Sequence, residues 1–394
     1  MIEIKKNVYW VGVKDWSLRQ FHGHELSTHR GSTYNSYLIK DEKTVLVDTV
    51  WDPYKEEFAE RLEKEVGLQN IDMIVINHIE PDHGGSLGYI MSKIPNTPIY
   101  CTKNGADIIK RHFHQDWNFN IVKTGDSVKI GEYELIFVEM QMLHWPDSLL
   151  TYVKGPNVAL SNDAFGQHYS PASLFNDEVD TCELYQEAIK YYANILTPFS
   201  PLIKKKVEQI KALNLPIEMI APSHGVIWRE NPMQIVEKYY EWSQDYNEGT
   251  VVIVYDTMYK ATKKMAEAIG EGLAKHNVMF KMYDNSITDQ SDLLTELFKA
   301  KGMIIGSCTV NNTVLRSIAG LLDEIKGHKF KNKIGAAFGS YGWSGEAAKV
   351  ISKHLEEAGI KVAAEPIQFR YVPTDEELLQ CVEFGESFAK ALGE

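Results

Sequence analysis

Asn77-His78-Ile79-Glu80-Pro81-Asp82-His83-Gly84-Gly85 follows Met73-Ile74-Val75-Ile76, an apolar run of the kind that makes a fully buried strand. Four potential metal ligands, His78, Glu80, Asp82 and His83, therefore arrive within six residues at the carboxyl end of a predicted strand. Pro81 is expected to stop a helix from forming there, and Gly84-Gly85 to let the backbone turn sharply behind the cluster. Side chains that alternate along an extended segment point to two places rather than one. That geometry suits a pair of metal ions.

Working outward, Val8–Gly12 reads as a first strand, and Asn35–Ile39 and Thr44–Thr49 as two more joined by the charged turn Lys40–Lys43. Asp52-Pro53 looks like a helix start, with Phe58, Leu62 and Val66 at helical spacing behind it. Ser86 is expected to cap a helix carrying Leu87, Ile90 and Met91. Further on, Glu134–Val138 leads to His144, Val158–Ser161 to Asp163, and Glu218–Ala221 to His224. Each of these side chains lies just past a predicted strand, like the opening cluster. In a sandwich whose loops gather at one edge they converge on a single site. Four histidines and three carboxylates, without cysteine, form a nitrogen and oxygen donor set; imidazole suits zinc, iron, copper or nickel, and the carboxylates shift the balance toward iron or manganese.

With 394 residues the expectation is two domains, cut at 1–248 and 249–394, with Gly249 ending the helix that starts at Asn231-Pro232. The formal charge of -13 argues against a nucleic-acid partner, which would need a basic face, while leaving room for a local basic docking patch. No apolar signal core opens the chain, no run is long enough to span a bilayer, and Cys101, Cys182, Cys308 and Cys381 form no C-x-x-C pair. The expectation is a cytoplasmic protein with reduced thiols.

Beyond Gly249 the texture changes to alternating strand and helix, the mark of a parallel sheet. Strands at Val251–Tyr255, Gly302–Gly306 and Lys333–Phe338 end in loops rich in hydroxyls, amides, glycine and aromatics. They are Thr257-Met258-Tyr259-Lys260-Ala261-Thr262, Ser307-Cys308-Thr309-Val310-Asn311-Asn312, and Ser340-Tyr341-Gly342-Trp343-Ser344-Gly345. The first opens a helix and suits a phosphate, and the absence of a Walker lysine or G-x-G-x-x-G pattern speaks against ATP and dinucleotides. Tyr341 and Trp343 can flank a flat ring. This half resembles flavodoxin, with one departure at Cys308, where the family commonly carries Pro.

The opening cluster resembles the metallo-β-lactamase superfamily motif, with Glu80 where the zinc hydrolases carry His. Taken with His144-Trp145-Pro146, Asn162–Gly166 and Pro222-Ser223-His224-Gly225, it resembles the flavodiiron proteins over essentially the whole chain. The implied fold class is α/β: an N-terminal metallo-β-lactamase-like αββα sandwich followed by a flavodoxin-like doubly wound parallel sheet. The resemblance implies two irons, one held by His78, Glu80 and His144, the other by Asp82, His83 and His224, with Asp163 bridging. It implies FMN in the three loops, and it places Tyr192 and His24 near the substrate pocket. The implied activity is reduction of dioxygen to water or of nitric oxide to nitrous oxide. The implied assembly is a head-to-tail homodimer or a dimer of such dimers. Because the chain ends at Glu394 without a rubredoxin or flavin-reductase extension, a separate donor such as rubredoxin is expected. The rival is a di-zinc hydrolase with a redox-sensing flavodoxin domain, and Glu80 counts against it.

Overall fold

A computed structural model describes residues 1–393. The chain divides into two compact units: Met1–Phe21, Thr28–Tyr192 and Phe199–Ser243 form the first, while His22–Ser27, Ala193–Pro198 and the chain from Gln244 onward form the second.

In the first unit, β1 (Ile2–Lys5), β2 (Val8–Trp10), β3 (Tyr37–Lys40), β4 (Thr44–Val47), β5 (Met73–Val75), β6 (Ile99–Cys101) and β7 (Phe119–Ile121) form one sheet in sequence order. Its first three pairings are antiparallel and the rest parallel. A second sheet takes β8 (Ser127–Lys129), β9 (Glu134–Glu139), β10 (Leu149–Lys154), β11 (Val158–Asn162) and β12 (Met219–Pro222), also in order. Alternate residues of both, among them Val45, Val47 and Val75 from one and Leu135, Phe137 and Leu160 from the other, meet in a shared apolar core. The helices are α1 (Lys55–Glu65), α2 (Pro81–Gly84), α3 (Leu87–Lys93), α4 (Lys103–Phe113), α5 (Thr181–Tyr191), α6 (Ser200–Ala212) and α7 (Met233–Trp242). In α1 two members of the expected stripe, Phe58 and Leu62, are fully buried, while the third, Val66, lies half-buried just past the helix end.

Two expectations for the ligand loop need correction. Pro81 does not stop a helix; it begins one, α2, because the first helical position needs no amide hydrogen and the fixed proline φ already suits it. Ser86 precedes α3 but makes no cap, since its hydroxyl donates to the Trp51 carbonyl at 3.3 Å.

The second unit is a parallel sheet in the order β14-β13-β15-β16-β17, from β13 (Val251–Asp256), β14 (Phe280–Asp284), β15 (Gly302–Cys308), β16 (Ile334–Tyr341) and β17 (Lys361–Val362), with β18 (Ile367–Arg370) also pairing β16. Helices α8 (Ala261–Lys275), α9 (Gln290–Lys299), α10 (Arg316–His328), α11 (Ala347–Glu357) and α12 (Asp375–Ala391) alternate with them. Helices α8 and α12 approach closely because Gly272 and Gly385 face each other's backbones; a Cβ on Gly272 would strike the Val382 carbonyl. The start of α12 is fixed by a capping box between Thr374 and Glu377. Lys333, 4% exposed, donates to the carbonyls of Tyr246, Phe298 and Ala300 at 2.8, 2.6 and 2.5 Å, which ties the entering chain to the foot of the sheet.

Candidate metal centre and ring-binding cleft

The ligand loop is anchored before it delivers any ligand. Asp48, at the end of β4 with a left-handed φ of 54°, accepts the backbone amides of Asn77 at 2.7 Å and His78 at 3.3 Å. Neighbouring strand β5 then releases His78 and Glu80, and the single turn of α2 presents Asp82 and His83. His144 follows β9, Asp163 follows β11 and His224 follows β12, so all seven side chains come from carboxyl ends of strands. The His224 turn leaves no room for variation. Gly225 has φ 74°, a Cβ there would collide with Gln167, and its amide donates to Thr33 Oγ1 at 2.7 Å.

The seven side chains meet as two groups around one carboxylate. His78 Nε2 lies 3.1 Å from Glu80 Oε2 and 3.3 Å from Asp163 Oδ2; His144 Nε2 lies 3.1 and 3.2 Å from the same two oxygens. On the other side, Asp82 Oδ2 is 2.8 Å from His224 Nε2 and 3.3 Å from His83 Nε2. Asp163 turns its other oxygen, Oδ1, toward His83 Nε2 at 2.8 Å and His224 Nε2 at 3.7 Å. One oxygen of Asp163 thus faces each group.

Electrostatics test whether this set suits positive ions. Burial opposes charge on the histidines, yet Asp147, Asp163 and Glu80 together hold His78 well above its ordinary value. His83 and His144 are both pushed up to about 9, the first by Asp82 and Asp163, the second by Asp163 and Glu80, again against burial. Burial likewise opposes the charge on Asp163, and His83, His144 and His78 outweigh it, holding the carboxyl well below the usual range. Both oxygens of Asp82, both of Asp163 and His83 Nε2 are buried without a properly aligned hydrogen bond. Desolvated donors of this kind are costly unless a cation sits among them. The residues fit metal ions.

Around the cluster the structure adds residues that the sequence reading did not single out. Buried Asp147 accepts from His78 Nδ1 at 3.1 Å and from the Ile79 amide at 2.9 Å, fixing the imidazole with its other nitrogen free to ligate. His224 Nδ1 does the same with the Thr33 carbonyl at 2.6 Å. The ring of His168 lies 4.7 Å from His224, and its Nδ1 is 2.7 Å from Ser32 Oγ. Of the tyrosine pair at the end of α5, Tyr191 is the one near the cluster. Its ring is 5.3 Å from His168, and burial, then Asp163, raise its hydroxyl well above the ordinary value. Tyr192 packs against Tyr239 and Trp242 and shares a 2.9 Å hydrogen bond with Ser200. His24 is exposed in the His22–Ser27 segment that groups with the second unit.

In the second unit the three strand-end loops converge on a cleft of about 450 Å³. It is lined by Thr257, Met258, Tyr259 and Ala261 from the first loop, Cys308 to Asn311 from the second, and Ser340 to Trp343 from the third. Asn312 and Ser344 line an adjoining recess and approach each other at 3.4 Å. Thr262 and Ser307 stand behind the wall: Thr262 Oγ1 is 3.0 Å from Ser340 Oγ, and Ser307 Oγ accepts the Leu315 amide at 2.9 Å. Lys260 takes a left-handed turn ahead of α8 and places no side chain over that helix's first amides, and Gly345 packs by Tyr341 and Gln368. Tyr371 and Val372, beyond β18, form a wall that the sequence reading missed. Tyr259, Trp343 and Tyr371 are 86%, 87% and 58% exposed around this one cleft. Aromatic surface above an open helix N-terminus fits a planar ring carrying a phosphate.

Comparison with known proteins finds relatives of both units. Residues 33–225 match the family described as ODP family beta lactamase, and residues 253–385 match flavodoxin. Anaerobic nitric oxide reductase flavorubredoxin of Escherichia coli O1:K1 is 50% identical over 393 residues, 99% of this chain and 82% of the relative. The solved rubredoxin oxygen:oxidoreductase of Desulfovibrio gigas superposes with TM-score 0.96 at 36% identity, covering 99% of this chain and 98% of its own. The flavodiiron protein of Giardia intestinalis gives 0.95 at 33%, covering 99% and 96%. Identity on this scale along both units, with the same backbone throughout, means that the chain belongs to the flavodiiron protein family.

Proposed function

We propose that this protein is an oxidoreductase in which FMN passes electrons to a non-haem di-iron centre that reduces nitric oxide to nitrous oxide, dioxygen to water, or both. The observation that carries the reading is Asp163, whose two oxygens face two separate donor groups. In this reading His78, Glu80 and His144 would hold one iron and Asp82, His83 and His224 the other, with Asp163 offering one oxygen to each. The cleft of the second unit would hold FMN, the start of α8 being suited to its phosphate and the aromatic rim of Tyr341 and Trp343 to its ring.

The irons, when bound, supply the electrons and open coordination positions that the reaction needs. The chain's own residues do the rest. Asp147 and the Thr33 carbonyl keep His78 and His224 in the tautomer that leaves Nε2 bare. The buried surroundings of Asp163 and His83, each 1% exposed, exclude bulk water. Tyr191 stands beside the cluster with its proton retained on the hydroxyl, where it can donate a hydrogen bond. Glu80 is the feature that separates this set from a zinc hydrolase, because a second carboxylate hardens the first donor group.

Rubredoxin or another small protein is the proposed electron donor, a head-to-tail homodimer the proposed working unit, and the cytoplasm the proposed location. Among the described residues no helix is long and apolar enough to cross a membrane. The test is anaerobic reduction of purified protein, followed by mixing with each gas. Two irons and one FMN per chain, with nitrous oxide formed or dioxygen consumed, are expected. Zinc in both positions with hydrolytic turnover would replace this reading.

A further inference from the structure

Resting on that function, the donor cluster poses a supply problem. Reduction of two nitric oxide molecules by two electrons takes up two protons, giving one nitrous oxide and one water, and the ligand atoms that surround the reaction are withdrawn from solvent. The electrons come from the flavin and its donor; the protons need a route through the first unit.

We propose that Glu187 on α5 is the proton-entry group, receiving protons from the Glu183 and Arg30 side of the helix and passing them inward to Tyr191. Spacing on α5 supports this, since residues four apart lie on one face. Glu183, Glu187 and Tyr191 form such a row, and it runs from solvent to the cluster. Glu183 has a 43% exposed side chain, Glu187 only 5%, and Tyr191 is 2% exposed beside His168 and His224. Arg30 bridges the outer two, with Nη2 3.3 Å from Glu183 and Nη1 2.7 Å from Glu187. Buried Lys190 flanks the inner end of the row.

A glutamine oxygen at this position would still accept from Arg30, more weakly than the carboxylate but in the same geometry, so the charge can be removed without removing the contact. Burial raises its carboxyl above the ordinary value, against the opposing pull of Lys190, Arg30 and His29. The raised value brings it nearer the range in which a carboxyl exchanges protons at working pH. Each transfer is balanced: for every proton Glu187 gives up along the helix face that leads to the cluster, one is taken up from solvent past Glu183.

The experiment compares wild type, Glu187→Gln and Glu183→Gln as iron- and FMN-loaded full chains. Chemically reduced protein is mixed with nitric oxide in light and heavy water across a range of pH. For Glu187→Gln, iron and FMN content should stay native, with thermal unfolding lowered only by the weakened Arg30 contact. Its single-turnover rate should fall by about a hundredfold, the low side of what a positioned proton donor contributes, with a larger solvent isotope effect. Glu183→Gln should lose less. In Glu187→Ala, acetic acid should restore part of the rate. A Glu187→Gln enzyme with native rate and isotope effect would overturn the proposal, as would a rate loss that only tracks iron loss. If the glutamine variant does not fold, Glu187→Asp decides. A slowed rate with a shifted pH profile at full iron supports the relay, and a native rate and profile overturn it. Wild type that reduces neither gas would refute the functional reading itself, and the relay would fall with it.

Discussion

In the first unit seven donor side chains are drawn out of solvent around Asp163, which is 1% exposed, whereas the cleft of the second unit is rimmed by Trp343 at 87% and Tyr259 at 86%. The difference follows from what each site must hold. Small cations are bound by desolvated charge, so carboxylates and imidazoles must be brought together at high cost and fixed from behind by Asp48, Asp147 and Thr33. A flat ring is bound by surface area, so aromatic side chains can wait in water at little cost. The metal site therefore loses ions when a single side chain is removed, whereas the ring site gives way only slightly.

The largest expected effect would break that contrast if it failed. Asp163→Ala should empty both metal positions and abolish turnover while leaving the flavin spectrum intact, as metal analysis and absorbance would show. His83→Asn should deplete chiefly the position shared with Asp82 and His224. Next in size, Asp147→Ala should weaken metal retention by about 10–100-fold, with Asp147→Asn milder because an amide oxygen can still accept from His78 Nδ1. Competition with a chelator measures both.

Protonation sharpens the same contrast. In metal-free protein the raised values of His83 and His144 mean that protons occupy the cluster below about 9. Groups whose folded values are raised stabilise the empty fold fully below their unfolded value, and that contribution is lost as pH rises through about 9. Ions must displace those protons, so iron uptake should acidify a weakly buffered solution and tighten as pH rises. Flavin uptake should show no such release from these groups. Smallest of all, Trp343→Ala should weaken FMN by about 1 kcal/mol, roughly fivefold in dissociation constant by fluorescence, with iron content unchanged.

Much of both sites was legible because their residues sit at strand ends, where a short apolar run announces the element and the next polar residue is aimed by it. His144, Asp163 and His224 could be grouped for that reason. Side chains that act on another side chain carry no such signal: Asp147 is three residues past His144, and only the folded chain shows that it reaches His78. Tyr191 and Tyr192 are adjacent, and which one turns inward depends on where α5 ends and the wider turn at Tyr192–Leu196 begins. Tyr371 and Val372 escaped notice because they follow a short, half-exposed edge strand with little apolar pattern. Pro81 was misjudged because the same ring that breaks a helix inside starts one at its first position.

Lys333 offers a built-in probe for opening of the second unit. Burial lowers its amine to about 7, against the opposing pull of Asp245 and Glu248. Its three carbonyl partners and 4% exposure keep acylating reagents away while the fold is closed. Acylation at this one lysine then requires local opening, and peptide mass spectrometry, set against an exposed lysine of the same protein, would read how readily the foot of the sheet comes apart.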